Sequence, residues 1–315
     1  MVNKMKTLQY QVPILFIIFR RKDVALKSFE RIKAVKPAKL YIASDGAREN
    51  VIGEQELVAA TRQSIEDAID WPCEVHRRYQ DRNQGCATAV SSAISWMFET
   101  EEMGIILEDD CVAKTSFFYF VREMLQRYKD DQRIGMIAGT NLISGKVKLP
   151  DSYCFSTYKA CWGWATWRRA WNNMQLDMPW RASNYYDSVL SNNGFHAKDK
   201  NYWKYRLKLI DANYVSAWDW PWYFCLAAQN QLCIFPSKGL IVNIGFEEGA
   251  THTSFFNHPQ YKDEGELSFP LQHPRLIVPY EPFDKAFYKA NNNLYMRLSS
   301  CIPLWLKKKL KKILK

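Results

Sequence analysis

The sequence predicts an α/β domain built on a mostly parallel sheet flanked by helices. Three observations predict it. The runs 12–19 and 104–107 are continuously apolar, as in strands buried on both faces of a parallel sheet. Between them, helix-period segments alternate with short strand-like runs, a β-α-β-α-β-α-β order whose crossovers are right-handed by rule. The fourth run ends directly in Glu108, Asp109 and Asp110. Open α/β sheets bind ligands at the carboxyl ends of their strands.

Taken in order, residues 12–19 give the first strand. A helix follows over 23–35, with Val24, Leu26, Phe29, Ile32 and Val35 near one side and Pro37 as its stop. The second strand is 40–43, closing on Ser44-Asp45-Gly46, and a helix covers 51–69. A short strand over 73–78 and a helical segment over 82–98 lead into the fourth strand, 104–107. Past the acids, 116–128 reads as helix and 135–139 as strand, while 140–157 reads as loop. Trp164, Trp167 and Trp171 fall at helical spacing. Residues 203–212 and 220–229 read as helices, 232–236 and 240–244 as late strands, and 249–280 as an irregular flap rich in proline.

Composition narrows the function. The chain has 315 residues and is 47% hydrophobic, enough for one large core. Its formal charge is +10, yet the stretch from Lys285 to Lys315 holds nine bases and no acid, so residues 1–284 carry only +1. Basic charge confined to a tail argues against nucleic acid as the main partner. The eight cysteines include no Cys-x-x-Cys pair, and no run reaches the ~18 apolar residues of a membrane span. The run at 12–19 lacks a small-residue cleavage site after it and reads as a core strand rather than a signal peptide.

Six stretches carry candidate chemistry. Three adjacent carboxylates repel one another unless a cation or solvent compensates. Asp109 and Asp110 point to opposite sides if strand geometry persists, so one of them suffices to touch a hard divalent ion bridging to a diphosphate. A solvated turn before a helix explains the same acids. Asp45 before Gly46 is a hydrogen-bond acceptor for a base or ribose, or plain turn chemistry. Asn83 and Gly85 open the third helix, where free N–H groups meet an anion or simply start a helix. Trp162-Gly163-Trp164 is a place for backbone to meet ligand, or core. Asp219, between Trp218 and Trp220, is a partly desolvated carboxylate suited to accept a proton, or a helix N-cap. Glu247, Glu248 and His252 lie in a glycine-bounded loop that suits a flap.

In this order the pieces resemble GT-A fold glycosyltransferases, nucleotide-diphospho-sugar transferases on a Rossmann-like sheet, and among them the N-acetylglucosaminyltransferase I family and its bacterial relatives. The likeness rests on 12–20 ending in Arg20, Ser44-Asp45, Glu108-Asp109-Asp110 with Phe117, Phe118, Tyr119 and Phe120, Gly163-Trp164, Trp218-Asp219, and 249–252 with Phe255 and Phe256. It spans roughly residues 10–258 as short motifs. The resemblance implies an inverting enzyme. Asp110 would hold Mn²⁺ or Mg²⁺ against the donor diphosphate, with His252 a second ligand. Glu108 and Asp109 would position the nucleotide sugar, Asp45 would contact uracil, and Arg20 would lie near the ribose and phosphates. Asp219 would be the general base. Apart from the resemblance, Glu247 and Glu248 are the alternatives for that role, and Trp162, Gly163, Trp164 and Trp218 are the residues expected to face an acceptor. Two departures matter. The family often pairs acids at the base, where this chain has Trp-Asp-Trp, and 172–216 has no clear counterpart.

The expected organisation is a transferase domain over 1–284, with a nucleotide-sugar half at 10–112 and an acceptor half with flap at 113–284. A basic tail follows at 285–315. Within it Ile302, Leu306, Leu310, Ile313 and Leu314 share one side of a helix and lysines fill the other, the pattern of a helix lying on an anionic membrane. That predicts a peripheral enzyme on the inner face of the cytoplasmic membrane, acting on a glycan or lipid-linked saccharide. Two rivals are a nucleotidyltransferase, which would need a glycine in the Arg20-Arg21-Lys22-Asp23 loop, and a non-catalytic carbohydrate-binding protein.

Overall fold

A computed structural model of the chain describes residues 9–245 and 265–291. The expected residues Glu247, Glu248 and His252, and the tail segment 302–315, lie outside the described residues.

The first half follows the expected alternation: β1 (Ile14–Ile18), α1 (Lys22–Val35), β2 (Lys39–Ser44), α2 (Glu54–Ala68), β3 (Glu74–Tyr79), α3 (Cys86–Thr100) and β4 (Met103–Glu108). Then come β5 (Cys111–Ala113), α4 (Thr115–Arg127), β6 (Ile134–Ala138), β7 (Tyr153–Ser156) and β8 (Trp164–Trp167). The rest are α5 (Arg168–Trp171), α6 (Tyr186–Ser191), α7 (Asp199–Asp211), α8 (Asp219–Ala228), β9 (Leu232–Pro236), β10 (Ile241–Asn243) and α9 (Glu281–Asn291).

Eight strands form one sheet in the order β3-β2-β1-β4-β8-β6-β9-β7. Six share a direction, while β8 and β7 run against it. Alternate side chains leave opposite faces. Leu15, Tyr41, Ala43, Ile106 and Trp164 pack with α3 and α8 on one face. Ile14, Phe16, Ile42, Leu107 and Trp167 pack with α1 and α4 on the other. The molecule is therefore helix, sheet, helix, and the α/β class read from the sequence is the one observed.

Three expectations are corrected. The 140–157 stretch contains strand β7. The Trp164, Trp167 and Trp171 stripe is not one helix, because 164–167 is strand and the helix begins at Arg168. Strand alternation therefore sends Trp164 and Trp167 into opposite cores. The expected boundary at 284/285 falls inside α9, and α9 is docked on the domain. Phe283 and Phe287 are buried, with ring centroids 4.9 and 5.6 Å from Phe235.

Asp284 pins that docking. It is fully buried and accepts hydrogen bonds from Ser156 Oγ, from Thr157 Oγ1 at 2.9 Å and from Thr157 N at 3.3 Å. Asp284→Ala is expected to cost about 2–3 kcal/mol of stability, because three donors lose a charged acceptor. Urea unfolding measures it, and an unchanged midpoint would mean that α9 is held by its aromatic face alone.

Candidate active site

Strand β1 sits between β2 and β4, so the chain winds outward through β2 and β3 and then returns to the other side. That reversal opens a crevice at the carboxyl ends of β1 and β4, the usual ligand position in such sheets. Residue Ile17 of β1 pairs with Glu108 at the end of β4. Arg20 and Arg21 follow β1, and Asp109 and Asp110 form the turn from β4 into β5. The three acids therefore lie at the carboxyl end of β4, beside the residues that follow β1.

Arg21 compensates their charge. Its Nε donates to Asp109 Oδ2 at 3.2 Å, its Nη2 donates to Asp109 Oδ1, and the same Nη2 donates to Asp110 Oδ2 at 2.9 Å. One planar guanidinium thus spans two carboxylates. Asp110 is fixed from the other side by the β5–β10 ribbon. Asn243 Nδ2 donates to Asp110 Oδ1 at 3.2 Å, and the Asp110 carbonyl accepts from Ile244 N at 2.9 Å. A side chain at Gly245 would come within 2.2 Å of Asp110 Oδ2, so the ribbon's exit needs glycine there.

Burial raises the proton affinity of Glu108 and Asp109. Glu108 is pushed well up, first by loss of water and then by the charges of Asp110, Asp109 and Asp219. Asp109 is pushed up to about 6 by burial, against the pull of Arg21.

Asp219 opens α8 on the far wall. Its carboxyl rises from an ordinary 3.8 to about 6, chiefly through burial, while the backbone N–H groups of Asp219 and Trp220 and the charge of Arg206 pull the other way. The expected N-cap position is taken by Trp218, and Asp219 is the first residue of the helix. Its charge acts on Glu108, and both act on Cys86 and Cys161. Ser216 Oγ accepts from Ala87 N at 3.3 Å, which ties the approach to α8 to the first turn of α3.

The remaining expected residues divide. Asp45 accepts from the backbone N–H groups of Gly46 at 2.9 Å, Gln84 at 2.9 Å and Gly85 at 3.1 Å. It ties the β2 turn to the start of α3, helped by Asn83 Nδ2 on the Gly46 carbonyl at 2.8 Å. Arg20 reaches Glu54 at 3.3 Å rather than the acids, and the neighbouring Arg21 takes that place. A cavity of about 560 Å³ opens beside the Asp45 turn, lined by Arg48, Val51, Ile52, Arg62, Gln80 and Arg82 among others, and none of Glu108, Asp109, Asp110 and Asp219 lines it.

Of the expected acceptor-facing residues, Trp162 is partly exposed. Trp164 and Trp218 are core residues, exposed by 0% and 4%, and their rings stack at 5.7 Å. They support the wall from behind and do not line it. Gly163, at φ +58, packs its backbone against Ile241, where a side chain would come within 2.5 Å. Arg168 and Arg169 bond backbone carbonyls of Glu101, Lys129, Ile134 and Tyr128.

Sequence reasoning missed Arg21, Asn243 and Gly245. The tandem Arg20-Arg21 was a visible signal, but the chain has left the strand there, so alternation does not say which arginine faces the acids.

No family model matches the chain, and no curated protein matches it in sequence. Solved structures that share part of its shape include a mannosyltransferase from Pyrobaculum calidifontis in complex with GDP-Man and Mn²⁺. That match has 12% identity over 52% of this chain and 46% of that one, with a TM-score of 0.37. Mouse xyloside xylosyltransferase 1 matches at 11% identity over 71% of this chain and 84% of its own, TM-score 0.34. A glucose-1-phosphate thymidylyltransferase assignment from Bacillus anthracis matches at 10% identity over 62% and 83%, TM-score 0.33. At this level of likeness, a functional reading rests on the residues of the chain itself.

The raised Asp219 value has a stability consequence. The folded state holds this proton more tightly than the unfolded chain, so the contribution is fully present below about pH 4 and is lost as pH rises through about 6. Asp219→Asn, neutral throughout, is expected to raise Tm at pH 8 and to leave it nearly unchanged at pH 4. Parallel thermal melts measure the difference, and equal shifts at both pH values would show that Asp219 is not desolvated.

Proposed function

We propose that this chain is a nucleotide-sugar enzyme, and within that class a metal-dependent inverting glycosyltransferase. It would move a sugar from a nucleoside-diphosphate donor, a UDP-sugar in our reading, to a hydroxyl of a glycan or lipid-linked saccharide. The observation that carries the reading is a carboxylate cluster at the carboxyl end of β4 within electrostatic reach of a desolvated aspartate, Asp219, at the start of α8.

The donor set suits a hard divalent ion. Its ligands would be oxygen alone, and Asp109 and Asp110 share a single guanidinium, Arg21. Asp110 has 18% of its side chain exposed and Asp109 has 7%. Asp110 is thus the carboxylate open to an ion, with Asp109 committed to Arg21. Among the described residues no three His, Cys, Asp or Glu side chains gather as a metal-binding group. The remaining ligands would come from a diphosphate and water, as is common for Mg²⁺-like sites. The ion supplies Lewis-acid stabilisation of the charge that gathers on the leaving diphosphate.

The chain's own groups do the rest. Asp219, ionised above about pH 6, accepts the proton of the acceptor hydroxyl. The oxygen attacks the anomeric carbon from the face opposite the diphosphate, the glycosyl–phosphate bond breaks, and its electron pair leaves with the diphosphate. Glu108, whose burial favours the neutral form, is suited to donate a hydrogen bond to a donor sugar hydroxyl.

Asp219→Asn is expected to lower turnover about 10²- to 10⁴-fold while keeping UDP affinity. Asp110→Ala and chelation are each expected to abolish transfer. In the wild type, kcat/KM should rise with pH through about 6, because the base is protonated below it. Radiolabelled UDP-sugar assays measure all of these, and Asp219→Asn with wild-type turnover removes the assignment of the base.

We extend the proposal to a peripheral site on the inner face of the cytoplasmic membrane, through the lysine-rich amphipathic pattern at 302–315. The full chain should float with vesicles containing anionic lipid, and a chain ending at residue 301 should not. Equal flotation of the two would separate the tail from membrane binding.

A further inference from the structure

Helix α7 belongs to the stretch for which the sequence offers no counterpart in the resemblance. Its Arg206 is placed unlike the other arginines near the crevice. Arg21 and Arg48 pair with carboxylates, and Arg62 and Arg169 spend their donors on backbone carbonyls, with one Arg62 donor on Ser44 Oγ. Arg206 is held by rings instead. Its guanidinium carbon lies 4.8 Å from the ring centroid of Tyr202 and 4.6 Å from that of Trp220. Tyr202 is one turn earlier on α7, and Trp220 is the residue after Asp219 on α8. Two helices therefore fix one planar cation beside the proposed base.

Among the described residues Arg206 has no ion pair and no hydrogen bond, and its Nε is buried without a partner. A buried donor left unpaired is unfavourable. The placement is unfavourable for the base as well, because a positive charge beside Asp219 weakens its hold on a proton. An anion arriving with the substrate would pair with the outer Nη donors of the guanidinium and would screen the charge that opposes proton transfer to Asp219.

We propose that Arg206 is the anion anchor of the acceptor subsite, gripping a phosphate or carboxylate carried by the acceptor while Tyr202 and Trp220 pack against its sugar. The proposal rests on the glycosyl-transfer reading above for the word acceptor, and on Arg206 alone for the anion. The guanidinium fork matches both anions, and the aromatic rings hold its plane in place before the ligand binds. A neutral glycan could accept from the same donors but would bring no charge to match the guanidinium.

Calorimetry on the full chain tests it, with glucose 1-phosphate, glucuronate and glucose as probes. The wild type is expected to bind at least one of the two anions and to bind glucose much more weakly. The preferred anion tells a phosphorylated acceptor from a uronic acid. Arg206→Gln should weaken that binding about tenfold or more, the loss of a charge-assisted fork. Arg206→Lys, which keeps the charge and the stem, should weaken it at least about threefold, because an ammonium lacks the bidentate plane. The lysine variant decides the matter if the glutamine variant fails to fold. Wild-type affinity for the anion in the folded variants overturns the proposal, and so does a wild type that binds neither anion. UDP titrated into the same proteins reports separately on the donor reading. Its failure to bind would sink that reading and leave the anion comparison standing.

Discussion

The grip of Arg21 on Asp109 and Asp110 is the constraint on which the crevice depends. Three consecutive carboxylates at the end of a buried strand repel one another and have lost much of their water. Left alone they would be neutralised by protonation or would open the turn from β4 to β5. The guanidinium provides one positive charge at the point where two of the acids meet. Removing one partner of such a group is far more damaging than the net worth of the pair, since an uncompensated buried charge remains. Arg21 also stands directly before α1, so the same residue that steadies the acids sets the start of the first crossover. Donor chemistry and sheet topology are joined at that side chain.

The opposite wall is built on a different principle. Trp164, Trp171, Trp218 and Trp222 pack ring on ring, with centroids between 4.9 and 6.1 Å apart. Indole NH groups of Trp164 and Trp222 have no hydrogen-bond partner among the described residues, so shape and area rather than polar pairing hold this stack. Its effect on Asp219 is electrostatic. A carboxylate at the rim of a large apolar mass is poorly solvated, and its proton affinity rises without any nearby negative charge having to be the main cause. Tight packing also fixes the start of α8, and with it the direction of that carboxylate.

Much of this was legible in the sequence, for reasons that differ by element. Strands β1 and β4 are continuous apolar runs, a pattern that parallel burial produces and few alternatives share. The acids at 108–110 and the Trp-Asp-Trp at 218–220 announce themselves by putting charge directly against apolar residues. The tryptophan stripe misled because i, i+3 and i+7 also fits a strand that passes into a helix, and only the strand's alternation separates Trp164 from Trp167. Arg21 was hidden by its twin, Arg20. Asn243 could not be found from local pattern at all. It reaches Asp110 across 133 residues, through pairing of two three-residue strands whose sequences carry no signal of one another.

Strand β8 explains why one site draws on both halves of the chain. It is inserted between β4 and β6 and runs against both. Its amino end, not its carboxyl end, therefore lies at the crevice, and Cys161 and Trp162 enter there from the second half. A parallel strand in that position would have brought its carboxyl end, and α5, to the same place. The reversal also puts Trp164 at the site end of β8, opposite Ile106, on the face where α8 packs. The tryptophan stack that desolvates Asp219 is thereby continuous with the strand next to the acids. Burial raises Asp109 and Asp219 alike, each to about 6, so the two places differ in partners rather than in solvation. Asp109 and Asp110 are bound by the Arg21 guanidinium, while Asp219 stands against the tryptophan stack, where the charge of Arg206 opposes its proton.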